Sequence, residues 1–460
     1  MSGMELSLGE FGDVRRARVG RDFLAALVGG QTPCLRKLGG SRAGEVRFGR
    51  FLRNSEVTMS AMLAETGRAT GERVGGRHIL AIQDTTELNF SAHRRRKQGF
   101  GTVGNGVDIG LFLHPVVAVD AATGGIMGLA GATVLNRTER RRTPRRKRVL
   151  SDKESRRWLD GAETAGRVLC GALSITVVAD RESDIYEEFA RRPANVELLT
   201  RAAQDRALEG GGRLFAACAA MATRERFVID VPAKGNRPAR QATVALGFGA
   251  VTIKRPCNGA ARTLPETLRL RVVVVREVAP PDGAVPVRWV LLTTHRVASV
   301  AQARRILAWY RLRWIIEQVF RTLKGQGFAI EDSQVVDAAT LAKLATAALI
   351  AAVRVMQLVR GRDGGTGQSL TDAFAAADEA LIEALVVSLE GRTEKQKNPH
   401  PPGSLARAAW VIGRLGGWSG YSGGGYKPPG PKTMYDGLVK FDAIKQGWGL
   451  APATGAAKNV

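Results

Sequence analysis

Ile79-Leu80-Ala81-Ile82-Gln83-Asp84 and, later in the chain, Ile175-Thr176-Val177-Val178-Ala179-Asp180 are two apolar runs that each stop on an aspartate. Short unbroken apolar runs rich in β-branched residues predict buried strands, and a polar residue at the end predicts the mouth of a sheet. Around the first run lie two more such stretches, 111–119 and 126–135, divided by glycine-containing turns. A helical pattern over 158–169 then leads into the second run. Strands followed by helix and strand predict an α/β fold with a mixed sheet.

Outward from this centre the texture changes. Residues 1–75 alternate arginine with apolar residues at helical spacing, as in Val14-Arg15-Arg16-Ala17-Arg18, and predict a separate N-terminal module of small helices with cationic faces. Between about 200 and 290 come further β-rich runs, at 226–231, 242–246, 268–275 and 287–293, which read as a β-rich insertion within a domain spanning 76–392. From 300 to about 390 the chain is rich in Ala and Leu with helical periodicity, and Asn398-Pro399-His400-Pro401-Pro402-Gly403 reads as a linker to a C-terminal region, 403–460.

With 460 residues the chain exceeds what one core organises, and its composition excludes disorder as the general state. Lys and Arg number 68 against 43 Asp and Glu, a formal charge of +25 that points to a polyanion, nucleic acid first, as partner. Four cysteines, Cys34, Cys170, Cys218 and Cys257, form no C-x-x-C pair and are expected to be reduced and buried. The longest stretch without a charge, 121–136, is too short and glycine-rich for a membrane span. No basic start precedes an apolar core at the N-terminus, so the expected location is cytoplasmic, associated with the nucleoid, with no membrane partner.

If the two aspartate-ended strands are neighbours, Asp84 and Asp180 converge. A third acid, Glu317, lies in Tyr310-Arg311-Leu312-Arg313-Trp314-Ile315-Ile316-Glu317. At about 100° per residue on one helix, Tyr310, Arg313, Glu317 and Lys324 fall within a stripe roughly 60° wide. Three carboxylates with open coordination positions suit Mg²⁺, with Mn²⁺ as a substitute, and two such ions serve in-line phosphodiester displacement. Arg313 and Lys324 would then hold phosphate. The plainer alternatives are that each aspartate caps a turn and that Glu317 and its arginine form a solvated ion pair.

The words Ile82-Gln83-Asp84-Thr85-Thr86, Asp180-Arg181-Glu182-Ser183-Asp184-Ile185 and Tyr310-x-x-Arg313-x-x-x-Glu317-x-x-x-x-x-x-Lys324 together resemble the insertion-sequence-four family of DDE transposases. The resemblance extends over nearly the whole length. It implies a ribonuclease H-like catalytic core with a β insertion, a metal-binding catalytic triad of Asp84, Asp180 and Glu317, and a two-metal site. It also implies cut-and-paste transposition through a DNA hairpin, with transposon-end DNA and target DNA as partners. A homodimer assembled through the C-terminal region is implied as well. Trp289 matches the position that stacks on a flipped base, its alternative being a core aromatic at a strand start. Tyr310 and Arg313 match residues gripping the adjacent phosphate. Arg15, Arg16 and Arg18 match a segment that recognises the transposon end, against the reading of solvated helix charge; Arg201 matches a DNA contact, against a surface charge. Two basic clusters, 93–97 and 140–148, read as loops able to track a DNA backbone, although the second departs from the family member it resembles, which is acidic there. The competing function is a non-catalytic DNA-binding regulator of transposition.

Overall fold

Four helices open the chain, α1 (Val14–Gly30), α2 (Leu35–Gly39), α3 (Arg42–Arg53) and α4 (Met59–Gly71). Strands β1 (His78–Gln83), β2 (Thr86–Asn89), β3 (Gly101–Thr102), β4 (Ile109–Asp120) and β5 (Ile126–Leu135) follow. Next come α5 (Arg156–Val168), β6 (Ser174–Ala179), α6 (Tyr186–Arg191), β7 (Val196–Arg201) and α7 (Leu214–Ala220). The β-rich stretch gives β8 (Glu225–Val231), β9 (Arg240–Lys254), β10 (Thr267–Glu277) and β11 (Arg288–Thr293). Helices α8 (Val300–Leu312), α9 (Trp314–Lys324), α10 (Ala338–Gly361), α11 (Glu379–Leu389), α12 (Leu405–Leu415) and α13 (Pro431–Trp448) complete the order. This computed structural model describes residues 7–448 except 31, 139–152, 232–237, 258–261, 326 and 422–426. The chain divides into two units, one made of Met1–Arg77, Thr85–Glu139 and Ile316–Val460, the other of His78–Asp84 and Arg140–Ile315.

The second unit is a mixed sheet with helices, the α/β class of a ribonuclease H-like core. β1, β6 and β7 run parallel, and β11, β10, β9 and β8 continue from β7 as an antiparallel extension. The inner strands are apolar on both sides: every residue of β1 after His78 is buried, as is Val272-Val273-Val274-Val275 in β10. Such strands need cover on both faces. Amphipathic α5 supplies some, burying Trp158, Leu159, Ala162 and Ala165. The β-rich runs expected between 200 and 290 are β8 to β11, and backbone pairing from Leu291↔Arg201 onward joins them to the parallel core.

The first unit packs helices on an antiparallel sheet in which β4 pairs with β2, β3 and β5. Its axis is α10, a 24-residue helix apolar on almost all sides and long enough to cross a membrane by composition, yet with 83% of its most apolar window buried inside the protein. A helix hydrophobic all round belongs in a core. Its buried amide Gln357 donates to the carbonyls of Ile126 and Met127 at 3.2 and 3.0 Å, tying it to β5. The N-terminal helices close over Phe23, Phe48 and Phe51, with edge-to-face ring contact between Phe23 and Phe48 at 5.2 Å.

Two expectations need correction here. Of the cysteines only Cys218 is buried; Cys170 and Cys257 are exposed. The cluster 93–97 is not a loop: Ser91–Arg96 forms a 3₁₀ turn. Lys97 points inward, donating to the carbonyls of Ser333 and Val335 at 2.7 Å each and lying over the Phe90 ring, and burial lowers its pKa to about 8. The cluster at 140–148 lies outside the described residues.

Candidate active site

β1 and β6 pair in parallel with Ile82 opposite Val178, and β6 pairs with β7 with Ala179 opposite Thr200. Continued past the last pairs, the same register sets Asp84 beside Asp180 and Asp180 beside Arg201, at the carboxyl ends of three adjacent parallel strands. Neighbouring strands lie about 4.8 Å apart, and side chains at one level of a parallel sheet share a face. The crevice beyond such strand ends is where open α/β sheets place their ligands.

Both aspartates are partly exposed and both are engaged. Asp180 caps the turn after β6, its Oδ1 accepting from the Glu182 N–H at 2.8 Å, which is the plainer reading of a strand-end acid realised with one oxygen. Its carbonyl accepts from Thr200 Oγ1 at 2.6 Å. Asp84 Oδ2 takes a hydrogen bond from Arg313 Nη1 at 2.6 Å, with both side chains 15% exposed.

Arg313 stands where α8 ends. Its backbone N–H reaches back only three residues, to the Tyr310 carbonyl at 3.1 Å, and this tightened turn separates α8 from α9. Arg313 itself keeps right-handed helical backbone, at φ −50° and ψ −30°, between the end of α8 and the start of α9. Tyr310 belongs with the strand ends. Burial pushes its phenol above the ordinary value against the pull of Arg313 and Arg201, while Asp180 adds to the rise. The Trp289 ring, on β11, lies 6.1 Å from the Tyr310 ring, and the residue is half-buried. Arg201 donates to the Arg288 carbonyl at 3.1 Å. Asp84, Asp180, Arg201, Trp289, Tyr310 and Arg313 thus all lie in the second unit, linked by register, hydrogen bond, ring contact or charge.

Glu317 and Lys324 belong to the first unit and are half-buried on α9, whose Ile316, Val319, Phe320 and Leu323 are buried. Lys324 pairs with Glu331 at 3.6 Å. Arg15 and Arg18 are exposed on α1, whereas Arg16 is half-buried and lies 3.8 Å from Asp13. Among the described residues no three His, Cys, Asp or Glu side chains gather into a metal-binding group. The donor chemistry of Asp84 and Asp180 fits a hard divalent cation, since both offer carboxylate oxygens at one level of the sheet. Sequence reasoning missed Gln83, Ser183 and Glu188, a buried polar group beside these strand ends. The one signal available was Gln83, a polar residue closing an apolar run.

The family model described as the transposase DDE domain matches residues 111–354, more than half of the chain. The match takes in Asp180, Arg201, Trp289, Tyr310, Arg313, Glu317 and Lys324, and Asp84 lies before it.

Proposed function

The chain belongs to the transposase DDE-domain family, and from that premise we propose that it is a cut-and-paste DNA transposase of the insertion-sequence-four group, with Asp84, Asp180 and Glu317 as its metal-binding triad. What supports the reading is the parallel pairing of β1 with β6, Ile82 opposite Val178, which brings the strand ends before Asp84 and Asp180 side by side in a chain carrying this domain. Asp84, outside the family match, enters on that register. When bound, Mg²⁺ or Mn²⁺ at these carboxylates would lower the barrier to attack on a phosphodiester and steady the leaving oxygen.

The residues of the chain then have separable tasks. Arg313 neutralises Asp84 in the DNA-free protein and is placed to exchange that carboxylate for a phosphate, a pairing its guanidinium fork suits. Tyr310, Arg201 and Lys324 would steady the same strand. Trp289, half-buried beside Tyr310, offers a ring on which a base extruded during hairpin formation can stack. Arg15, Arg16 and Arg18 on α1 would read the transposon end. The organisation that follows is a DNA-binding domain at 1–75, a catalytic domain at 76–392 and a dimerisation region at 403–460, working in the cytoplasm on transposon-end and target DNA.

The test is cleavage of DNA carrying the sequences that flank the gene, in Mg²⁺. Asp84→Ala, Asp180→Ala and Glu317→Ala should each abolish cleavage while end binding, read by gel shift, persists. Full cleavage by any one of them removes that residue from the triad, and binding without cleavage by the unaltered protein would favour a regulator.

A further inference from the structure

The carboxyl of Glu188, on α6, is 1% exposed, and among the described residues no lysine, arginine or histidine pairs with it. Its Oε2 lies 2.7 Å from Ser183 Oγ and its Oε1 3.4 Å from Gln83 Nε2. Gln83 is wholly buried, ends β1 immediately before Asp84, and also donates to the Trp158 carbonyl at 3.2 Å. Ser183 closes the 3₁₀ turn that Asp180 caps. One carboxyl therefore touches both of the segments that carry the strand-end aspartates.

We propose that Glu188 is a positioning residue whose buried carboxyl ties the end of β1 to the turn after β6 and so sets the spacing of Asp84 and Asp180. The inference rests on the role proposed above for those two aspartates. A charged carboxylate would serve badly here, because it would sit desolvated with only two donors. Burial, reinforced by Asp184 and opposed by the hydrogen bond that the Ser183 hydroxyl donates to Oε2, raises the Glu188 pKa to about 8, so at neutral pH the group holds its proton. Other charges on the surrounding elements are engaged elsewhere. Asp184 accepts from Arg206 at 2.5 Å and from the N–H groups of Ala203 and Gln204, and Arg157 on α5 pairs with Glu182 at 3.0 Å. Glu187 and Arg191 share α6 but are not buried.

The sign of the pH effect follows. A carboxyl whose folded pKa is raised holds its proton in the folded chain and loses it in the unfolded one, so its stabilisation is complete at low pH and lost as pH rises toward 8. Glu188→Gln keeps the size and a donor but cannot ionise. Relative to that variant, the folding constant of the unaltered protein should fall by up to about tenfold per pH unit between roughly pH 4.5 and 8, read from thermal or urea unfolding. In cleavage, Glu188→Gln should retain the rate and extend activity to higher pH, whereas Glu188→Ala should lose at least about tenfold in rate with end binding unchanged. If Glu188→Ala does not fold, Ser183→Ala replaces it, with a smaller loss confined to kcat. Parallel stability profiles for the unaltered and Gln proteins would overturn the protonated carboxyl. A normal rate for Glu188→Ala or Ser183→Ala would overturn the positioning role. Absence of cleavage by the unaltered protein would instead sink the transposase reading, and the unfolding profiles would still decide the state of Glu188.

Discussion

Arg77 in the first unit and Arg313 in the second both meet aspartates, but the acids of the first junction lie deeper than the acid of the second. Arg77 spans two acids, Asp120 at 3.0 Å and Asp372 at 2.9 Å, whose side chains are only 7% and 4% exposed. The remaining lone pairs of those acids are taken by backbone: Asp120 Oδ1 accepts from Ala122 and Thr123, and Asp372 Oδ2 accepts from Ser369. Even so, burial outweighs Arg77 and leaves Asp372 above the ordinary carboxylate value. Arg313 meets Asp84 at the rim of a sheet, both more exposed than the acids of the first junction. The same two residue types fasten a core in one place and meet at a strand end in the other; what separates them is how deeply the acids are buried, 7% and 4% exposed against 15%.

Four measurements would break or sharpen that contrast. The largest effect is expected from Arg77→Ala, which strands two buried carboxylates and should cost about 3–5 kcal/mol in urea unfolding; a loss below about 1 kcal/mol would make the two junctions alike. Arg313→Ala should change stability by no more than about 1 kcal/mol. Its effect belongs in cleavage, which should fall about 10–100-fold, or roughly 1.4–2.7 kcal/mol in the barrier. A stability loss equal to that of Arg77→Ala would mean Arg313 is a fastener too.

Capping acids extend the comparison at a smaller scale. Asp337 caps α10 through a 2.7 Å bond to the Thr340 N–H, as Asp180 caps its turn. Either alanine variant should lose about 1 kcal/mol of stability, but only Asp180→Ala should silence cleavage. Equal activity in both would reduce Asp180 to a cap.

The smallest effect is expected at the opposite ends of β1 and β6, where the Thr176 hydroxyl lies 2.8 Å from His78 Nε2 and 2.6 Å from His295 Nε2. Burial holds His295 below the ordinary imidazole value, with Glu197 opposing and Arg192 assisting. A lowered pKa means stability present above the unfolded value near 6.5 and lost as pH falls through the folded one. His295→Gln should remove that acid-side slope, worth a fraction of a kcal/mol near pH 6 where one full proton gives about 1.4 kcal/mol per unit. An unchanged slope would place the titration elsewhere.

Much of the second unit was legible because its strands announce themselves as apolar runs: 175–179 became β6, 268–275 lies inside β10, and 158–169 became α5 shifted by one or two residues. The two aspartates could be picked out for the same reason, since a charged residue ending such a run must leave the core. Their common level could not, because register is set by pairing between strands distant in sequence. Helical periodicity from Tyr310 to Lys324 was legible as well, but not the three-residue hydrogen bond at Arg313 that divides it into α8 and α9. Exposed cysteines, the inward Lys97 and the buried Glu188 were illegible for one cause: burial of a polar or small side chain depends on what folds over it. Glu188 sits in a run of acids and arginines that reads as surface.

The first unit is fastened by its extremities, since α1 packs against both α10 and α13. Synthesis therefore delivers the pieces in an awkward order. When α10 leaves the ribosome its apolar sides have β5 and α4 to rest on, but α12 and α13 are still unmade. A nascent chain halted before residue 405 would display an oily helix to chaperones and proteases, so a premature stop codon there should yield insoluble protein and not a shortened, working one.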